Sequence, residues 1–479
     1  MIENTGILLS IIMAIPMLGV MFASLAKDGQ GQTIKGRNVL SVGIFTVLSN
    51  LVILWITARK INVNGTNLQL IEKFKWLETP NIELVFGIDF FSLLLIAAIH
   101  FAVLLGMIGV RNNPYRQKTL IILSLLFLSM ITGYLLAADI FSFYIFFEAT
   151  LLPLFMLVGI FGDIKKQDIL YRFFLYNLLG AMLLFTALCI LFDNENVSIS
   201  EISRVSLNRH IEIFVWGAIF VAFLSRIPIW PFHYWISSVN VNITNPLVFI
   251  VANIMPLTGV YGLIRFFPLT APDILEPYLL ALKIISITTM VVISLIGFSN
   301  RDIQYKLFSY MTVYYILYLL GALLPTDALL GNIGFSLFAY LIVISAIEIM
   351  ISHLEKEKQC TKVGDCGILC NIKRSSFVLS FFILAAVGLP LSSLFLNNML
   401  IFAGLLSYNI KMAAFILLAI ILSSISLLHH LFYLKYPQEE VTDSKDVCVS
   451  DISMSVFCVL IVFMLILIAS FINPLWFME

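Results

Sequence analysis

Residues 141 to 163 read FSFYIFFEATLLPLFMLVGIFGD, an apolar run with one carboxylate, Glu148, near its middle. A hydrocarbon core about 30 Å thick is crossed by about 20 helical residues, so this run is long enough to span a bilayer. A charge held at that depth costs about 2.5–3.5 kcal/mol on insertion scales, and a chain keeps one chiefly where it has a partner and a use. Glu148 is therefore the first functional candidate, and the fold class follows from how often such runs recur.

They recur throughout the 479 residues. The chain is 61% hydrophobic and 12% charged, whereas a soluble domain carries about 25% charged residues. This composition predicts an all-α polytopic membrane protein with about fourteen transmembrane helices and almost nothing left for a soluble domain. The expected spans are 6–26, 38–58, 85–110, 118–137, 139–161, 169–192, 211–235, 244–266, 275–299, 306–324, 328–352, 375–408, 412–436 and 451–473. They divide into an N-terminal three-helix segment (1–117), two five-helix units (118–266 and 275–436), and a C-terminal loop with the last helix (437–479). Because 28 basic residues balance 28 acidic ones, no strong field favours nucleic acid, and that class of partner is dismissed.

The first apolar run, Gly6 to Leu25, follows the acidic start MIENT without a basic flank or a small-residue cleavage motif, so it reads as a retained helix. Six cysteines in a chain of this length make no disulfide framework. Cys360, Cys366 and Cys370 share one polar loop, but no fourth ligand stands at zinc-finger spacing, and the loop reads as reduced and metal-free.

Loops after the odd-numbered helices hold about 18 Lys and Arg, the opposite set about 8, which puts both termini outside and the Lys356 to Arg374 loop in the cytoplasm. Two spans are expected to break. Span 7 contains Arg226 and then IPIWPFHYW with Pro228 and Pro231, and span 12 contains Gly388, Leu389 and Pro390 at its middle. Proline removes a backbone donor and clashes with the preceding turn. Interrupted helices five apart in order are the pattern of two inverted five-helix repeats, helices 4–8 and 9–13, as in transporters.

With FYIFFEATLLPLFMLVGIFG at 143–162, the segments YRFFLYNLLG at 171–180, PIWPFHYW at 228–235, YGLIRF at 261–266 and VGLPLSSLF at 387–395 resemble the antiporter-like membrane subunits of proton-pumping NADH:quinone oxidoreductase. The likeness is to the M chain, called chain 4 in mitochondria, in a family that also holds the large subunits of Mrp-type cation/proton antiporters. FGIDFFSLLL at 86–95 is similar to the family's third helix. The resemblance implies a fourteen-helix fold in the membrane arm of respiratory complex I, in a bacterial plasma membrane or the inner mitochondrial membrane. It implies no redox cofactor in this chain, with NADH, FMN, Fe-S clusters and quinone in partner subunits. Its partners would be other membrane-arm subunits, the lipid bilayer and protons.

The family's proton path is a line of ionisable residues, and here the match is partial. Glu148 matches the helix-5 Glu, and Arg226 stands at the helix-7 Lys position. Leu257 stands at the helix-8 Lys position, Asn398 at the helix-12 Glu position and Tyr315 at the helix-10 His position. Ser237, Ser238, Val239 and Asn240 replace the PDAH that follows the Trp motif. Lys suits such sites because its pKa falls readily on desolvation, whereas a guanidinium stays charged. Arg226 can hold Glu148 in a charge pair but donates protons poorly, Leu257 can pass none, and Asn398 can orient water without titrating.

Replacement groups compete with blander readings. His100 reads as a neutral imidazole satisfied by a neighbouring helix or as a relay, and Lys283 as a snorkelling lysine or a relay. Glu348 and His353 read as interfacial, and His233 as either helix-break geometry or a proton relay. Three functions remain open: an antiporter-like pumping subunit of complex I, a non-pumping structural paralogue in a membrane complex, and a subunit of a multi-chain Na⁺/H⁺ antiporter. FFEATLLPLF and PIWPFHYW favour the M chain over the third, and the missing helix-8 Lys favours the second over an ordinary pump.

Overall fold

The computed structural model describes residues 7–26, 37–62, 65, 67–77, 82–111, 115–162, 167–192, 199, 207–241, 243, 245–266, 272–324, 328–358, 372–435 and 451–472. The loop holding Cys360, Cys366 and Cys370 lies outside the described residues, as do the side chains of Ser237, Ser238 and Asn240. The chain forms two compact units, one from Met1–Ile243 with Val251–Ile285, the other from Thr244–Ile250 with Ser286–Glu479.

The first unit begins with α1 (Leu8–Leu25) and α2 (Arg37–Ala58), a hairpin of β1 (Gln69–Leu77) and β2 (Ile82–Ile88), and α3 (Phe90–Gly109). It continues with α4 (Gln117–Leu136), α5 (Ile140–Ala149), α6 (Leu151–Phe161), α7 (Gln167–Leu191), α8 (Arg209–Leu224) and α9 (Tyr234–Val241). Helices α10 (Pro246–Phe266) and α11 (Pro272–Ser299) each run through a boundary between the units. The second unit holds α12 (Ile303–Ala322), α13 (Ala328–Lys358), α14 (Lys373–Val387), α15 (Ser393–Tyr408), α16 (Ile410–Lys435) and α17 (Met454–Ile472).

Among the described residues, eleven helices, counting α5 with α6 as one, are long and apolar enough to cross a membrane. Expected spans 7 and 12 are not among them because each is split: α8 ends at Leu224 and α9 starts at Tyr234, while α14 ends at Val387 and α15 starts at Ser393. Span 10, α12, is also absent from the set, for it carries Gln304, Lys306 and five tyrosines.

The fold is nearly rather than wholly helical, and the expected third span starts too early. IELVFGI at 82–88 is strand β2, paired antiparallel with β1 at Lys73–Val85 and Phe74–Leu84. Hydropathy does not separate an apolar strand from a helix over so short a run. The switch comes at Asp89, whose carboxylate accepts from Ser92 N at 2.8 Å and caps α3. Span 5 also differs, since α5 and α6 meet at Thr150. Pro153 has no N–H to give the carbonyl of Ala149 four residues back, and the ladder is interrupted there.

Acidic side chains fasten the helix starts. Glu72, buried on β1, accepts from Leu9 N (2.8 Å) and Ser10 N (3.0 Å) at the head of α1. Asp139 caps α5 through Phe141 N (3.0 Å) and Ser142 N (2.8 Å), and its other oxygen takes Val85 N of β2 at 2.8 Å. Asp451 reaches across sequence to cap α14, accepting from Arg374 N (3.2 Å), Ser375 N (3.0 Å) and Ser375 Oγ (2.6 Å). A carboxylate at a helix N-terminus satisfies orphan N–H groups and complements the dipole.

Partial burial alone would raise the Asp451 pKa, but the hydrogen bonds from Ser375, Arg374 and Ile452 outweigh it and hold the carboxyl below its usual 3.8. A depressed folded-state pKa contributes stability above the unfolded value, and that stability is lost as pH falls through the folded one. Asp451→Ala is therefore expected to lower unfolding stability in mild detergent by about 1 kcal/mol at neutral pH. The gap between variant and parent should close below pH 3.8; a gap of the same size at neutral pH and in acid would show that the carboxylate does not act as the cap.

Candidate functional site

In the first unit the site forms where α5, the segment after α8 and α10 meet. Arg226 lies in the broken stretch just after α8 and is 0% exposed. Its Nη1 donates to Thr150 Oγ1 (3.0 Å) and Thr258 Oγ1 (3.2 Å), its Nη2 to the Phe147 carbonyl (2.7 Å), and its guanidinium carbon stands 3.3 Å from the centre of the Phe147 ring. The fork geometry of arginine allows this multiple engagement, and the aromatic face adds a cation–π attraction. Both threonine hydroxyls donate to carbonyls of their own helices, Phe147 and Met255, each at 2.7 Å.

Close approach of α10 to the break depends on Gly259, where a Cβ would stand 2.6 Å from the Phe223 carbonyl and 3.2 Å from Arg226 Cβ. The break is also held from outside its own ladder: Trp235 Nε1 donates to the Ser225 carbonyl at 2.9 Å. Tyr134 donates to the Thr258 carbonyl (2.6 Å) and Tyr261 to that of Leu135 (2.9 Å).

Glu148, one residue from Phe147, is half-buried, and its Oε2 has no hydrogen-bond partner. The two charges feel one another, but the bonds of Arg226 go to neutral oxygens, so the expected contact pair is absent. Leu257 is fully buried beside Thr258, and the polar partner that α10 gives Arg226 comes from Thr258 instead. His233 is half-buried in the broken segment, with Nδ1 unpartnered. His100 takes the bland reading: Nδ1 pairs with its own helix at Ile96 O (2.7 Å) and Nε2 with Asn50 Nδ2 (2.8 Å). The amide can only donate, which makes Nε2 the acceptor and the ring neutral.

Sequence reasoning missed a second polar centre in this unit. Arg265 and Asp89 form an ion pair at 2.6 Å, and Arg265 Nη2 also donates to Ser92 Oγ at 2.7 Å. Both residues sit inside quoted motifs, DFFSLLL and YGLIRF, but nothing in either motif says that the other faces it.

In the second unit Asn398 is half-buried on α15, with Oδ1 unpartnered. Tyr315 belongs to a buried cluster with Tyr310, Tyr314, Tyr318 and Tyr340, whose rings include pairs at 4.4 and 5.3 Å. At the α14–α15 break Gly388 takes φ +112, the left-handed cap conformation. Pro390 leaves the Ala386 carbonyl without its helical donor, and Tyr310 OH takes it at 2.8 Å. Glu348, read from the sequence as interfacial, is 0% exposed within the protein, and α13 runs on past it to Lys358 rather than ending near residue 352. Lys306, not singled out from sequence, is 1% exposed and donates to the Ser426 carbonyl at 3.3 Å. Lys283 is half-buried on α11.

A family model for the transmembrane domain of NADH:quinone oxidoreductase and Mrp antiporters matches residues 137–426, from the head of α5 to the middle of α16. The chain belongs to that family. Among its relatives, the NADH-quinone oxidoreductase subunit M of Rickettsia bellii is 24% identical over 430 residues, 88% of this chain and 86% of its own. NADH-ubiquinone oxidoreductase chain 4 of Arabidopsis thaliana is 28% identical over 397 residues, 80% of this chain and 78% of its own. In fold, a chain of respiratory complex I from Thermus thermophilus aligns with a TM-score of 0.83 at 19% identity, covering 97% of this chain and 96% of that one. A chain of the Mrp complex from a Dietzia species aligns with a TM-score of 0.79 at 16% identity, covering 98% of this chain and 50% of that one. Full-length agreement with the first and half-length agreement with the second fit a family member of subunit M size.

Because Arg226 keeps three neutral acceptors, Glu148→Gln is expected to cost about 1 kcal/mol or less in unfolding stability, well short of the roughly 3–5 kcal/mol of a broken buried pair. Arg226→Lys should cost more than Glu148→Gln, since an ammonium cannot reach all three oxygens. The reverse order of the two losses would place the carboxylate against the guanidinium in the membrane.

Proposed function

We propose that the chain is the antiporter-like M subunit of an NADH:quinone oxidoreductase in a bacterial plasma membrane or the inner mitochondrial membrane. In this role it takes part in proton translocation driven by electron transfer in other subunits. The observation that carries this reading is the joint placement of Glu148 and the Arg226 break on the family's transmembrane domain, with nearly equal lengths of this chain and its subunit M relatives. Neighbouring membrane-arm subunits are the partners. NADH, FMN, Fe-S clusters and quinone are assigned to partner subunits.

Within that role the site suits electrostatic work better than stepwise proton hand-off. Arg226 is a fixed cation spread over three oxygens and a ring, and no lysine stands at Leu257 to receive a proton. A carboxylate with one free oxygen, Glu148, near a permanent positive charge can still bind and release a proton when the field around it changes. A second reading, a structural paralogue that moves no protons, is favoured by Leu257 alone.

Proton uptake by proteoliposomes, normalised to quinone reduction and to assembled complex, separates the two. Glu148→Gln is expected to lower the protons moved per electron pair while the complex runs intact on a native gel. An unchanged ratio in an intact complex would leave the structural paralogue standing, and a chain that never co-migrates with quinone-reductase subunits would remove both readings of complex I membership.

A further inference from the structure

Nearly three turns inside the end of α13, Glu348 is sealed from solvent, and neither carboxylate oxygen has a hydrogen-bond partner. Gln304, on the first turn of α12, is 5% exposed and lies within electrostatic reach of Glu348; its Oε1 is unpartnered, and its Nε2 points to Glu355 Oε1 at 3.5 Å. Glu355 is half-buried, seven residues further along α13, about 10 Å along the helix axis at 1.5 Å per residue. The group thus holds three buried oxygens that can only accept, and its one donor group, the Gln304 amide, lies between the two carboxylates, with Nε2 3.5 Å from Glu355 Oε1.

Among the described residues, no hydrogen bond or ion pair links a cation to Glu348. On α12, Lys306 turns to α16 and donates to the Ser426 carbonyl, and Asp302 caps the helix. On α14 the charged residues are Lys373 and Arg374, both exposed in its first turn. The other two helices packed on α13, α15 and α17, carry no charged residue. A bare carboxylate there would be an unpaired buried charge, which proteins avoid by binding a proton or a partner. A hard metal ion needs six or more oxygens, and the wall of the site is apolar, with Ile344, Ile347 and Ile351 all buried. One proton suffices, because it neutralises the carboxylate and gives the site an O–H donor among oxygens that otherwise only accept.

We propose that Glu348 is a proton-holding site of this chain, separate from Glu148, with Gln304 as its positioning residue and Glu355 as the outer carboxylate through which it exchanges protons with the α13 end. The role does not depend on the Glu148 site or on the identity of the parent complex. Glu355 lies in the last turn of α13, just ahead in sequence of the Lys356 to Arg374 stretch whose Lys/Arg content reads as cytoplasmic, and under this proposal protons load from that side.

The test is infrared difference spectroscopy of the intact membrane complex at neutral pH. The parent should show a protonated-carboxyl C=O band that shifts on transfer to D₂O. Glu348→Gln should lose that band while assembling normally, since the amide mimics the protonated acid. Glu348→Asp should retain it at a shifted position and keeps the test valid if the glutamine variant assembles poorly. Gln304→Leu should keep the band and slow its exchange into D₂O. A spectrum identical in parent and Glu348→Gln overturns the proposal. So does a band that appears in the parent only after Na⁺ is removed, which would assign the oxygens to a metal cation. Exchange at an unchanged rate in Gln304→Leu would overturn the route past Gln304. Because the readout is a vibrational band rather than pumping, failure here is distinct from failure of the subunit M assignment.

Discussion

The constraint on which this structure depends is that a backbone polar group in hydrocarbon has no water to turn to. Each helix break frees carbonyls, and at each break a side chain from elsewhere takes one. Trp235 takes that of Ser225, Arg226 that of Phe147, and Tyr310 that of Ala386. The aromatic residues that give the sequence its motifs are therefore hydrogen-bond donors carried on apolar rings, able to enter the bilayer and still complete the main chain. Prolines create the need, and tyrosine, tryptophan and arginine meet it.

This pairing explains which parts of the fold were legible. Pro228, Pro231 and Pro390 mark the two breaks in the sequence, and the breaks fall beside them. Apolar runs mark the helices because backbone satisfaction in lipid leaves few other choices. The β-hairpin was hidden because IELVFGI is as apolar as a helix start, and only the Asp89 cap announces where the helix begins. The end of α13 was hidden for a comparable reason: the helix extends about 9 Å past the expected end at residue 352, through HLEKEK, whose charges read as a loop.

The candidate site was legible in its members but not in its contacts. The motifs identified Glu148 and Arg226, yet the sequence suggested a direct pair where the guanidinium instead engages Thr150, Thr258 and Phe147. Contacts of this kind join residues up to 79 positions apart, and one sequence read alone carries no signal for them. The same holds for Asp89 with Arg265.

The geometry around Arg226 bears on what a guanidinium can do at a position where the resemblance implies a lysine. A lysine at such a site works by shedding its proton when desolvated, so its charge alternates. Arg226 is desolvated as thoroughly, but its charge is spread over a fork bonded to three oxygens and stacked on a ring, an arrangement that holds a cation in place. The field at Glu148 is then steady from this side, and any alternation must originate in groups that do titrate. Glu348 is buried enough to exist in a neutral form, and Glu355 follows it along α13 toward the helix end. If charge alternates in this chain at all, the physical chemistry assigns it to carboxylates, with Arg226 as the fixed reference against which they change.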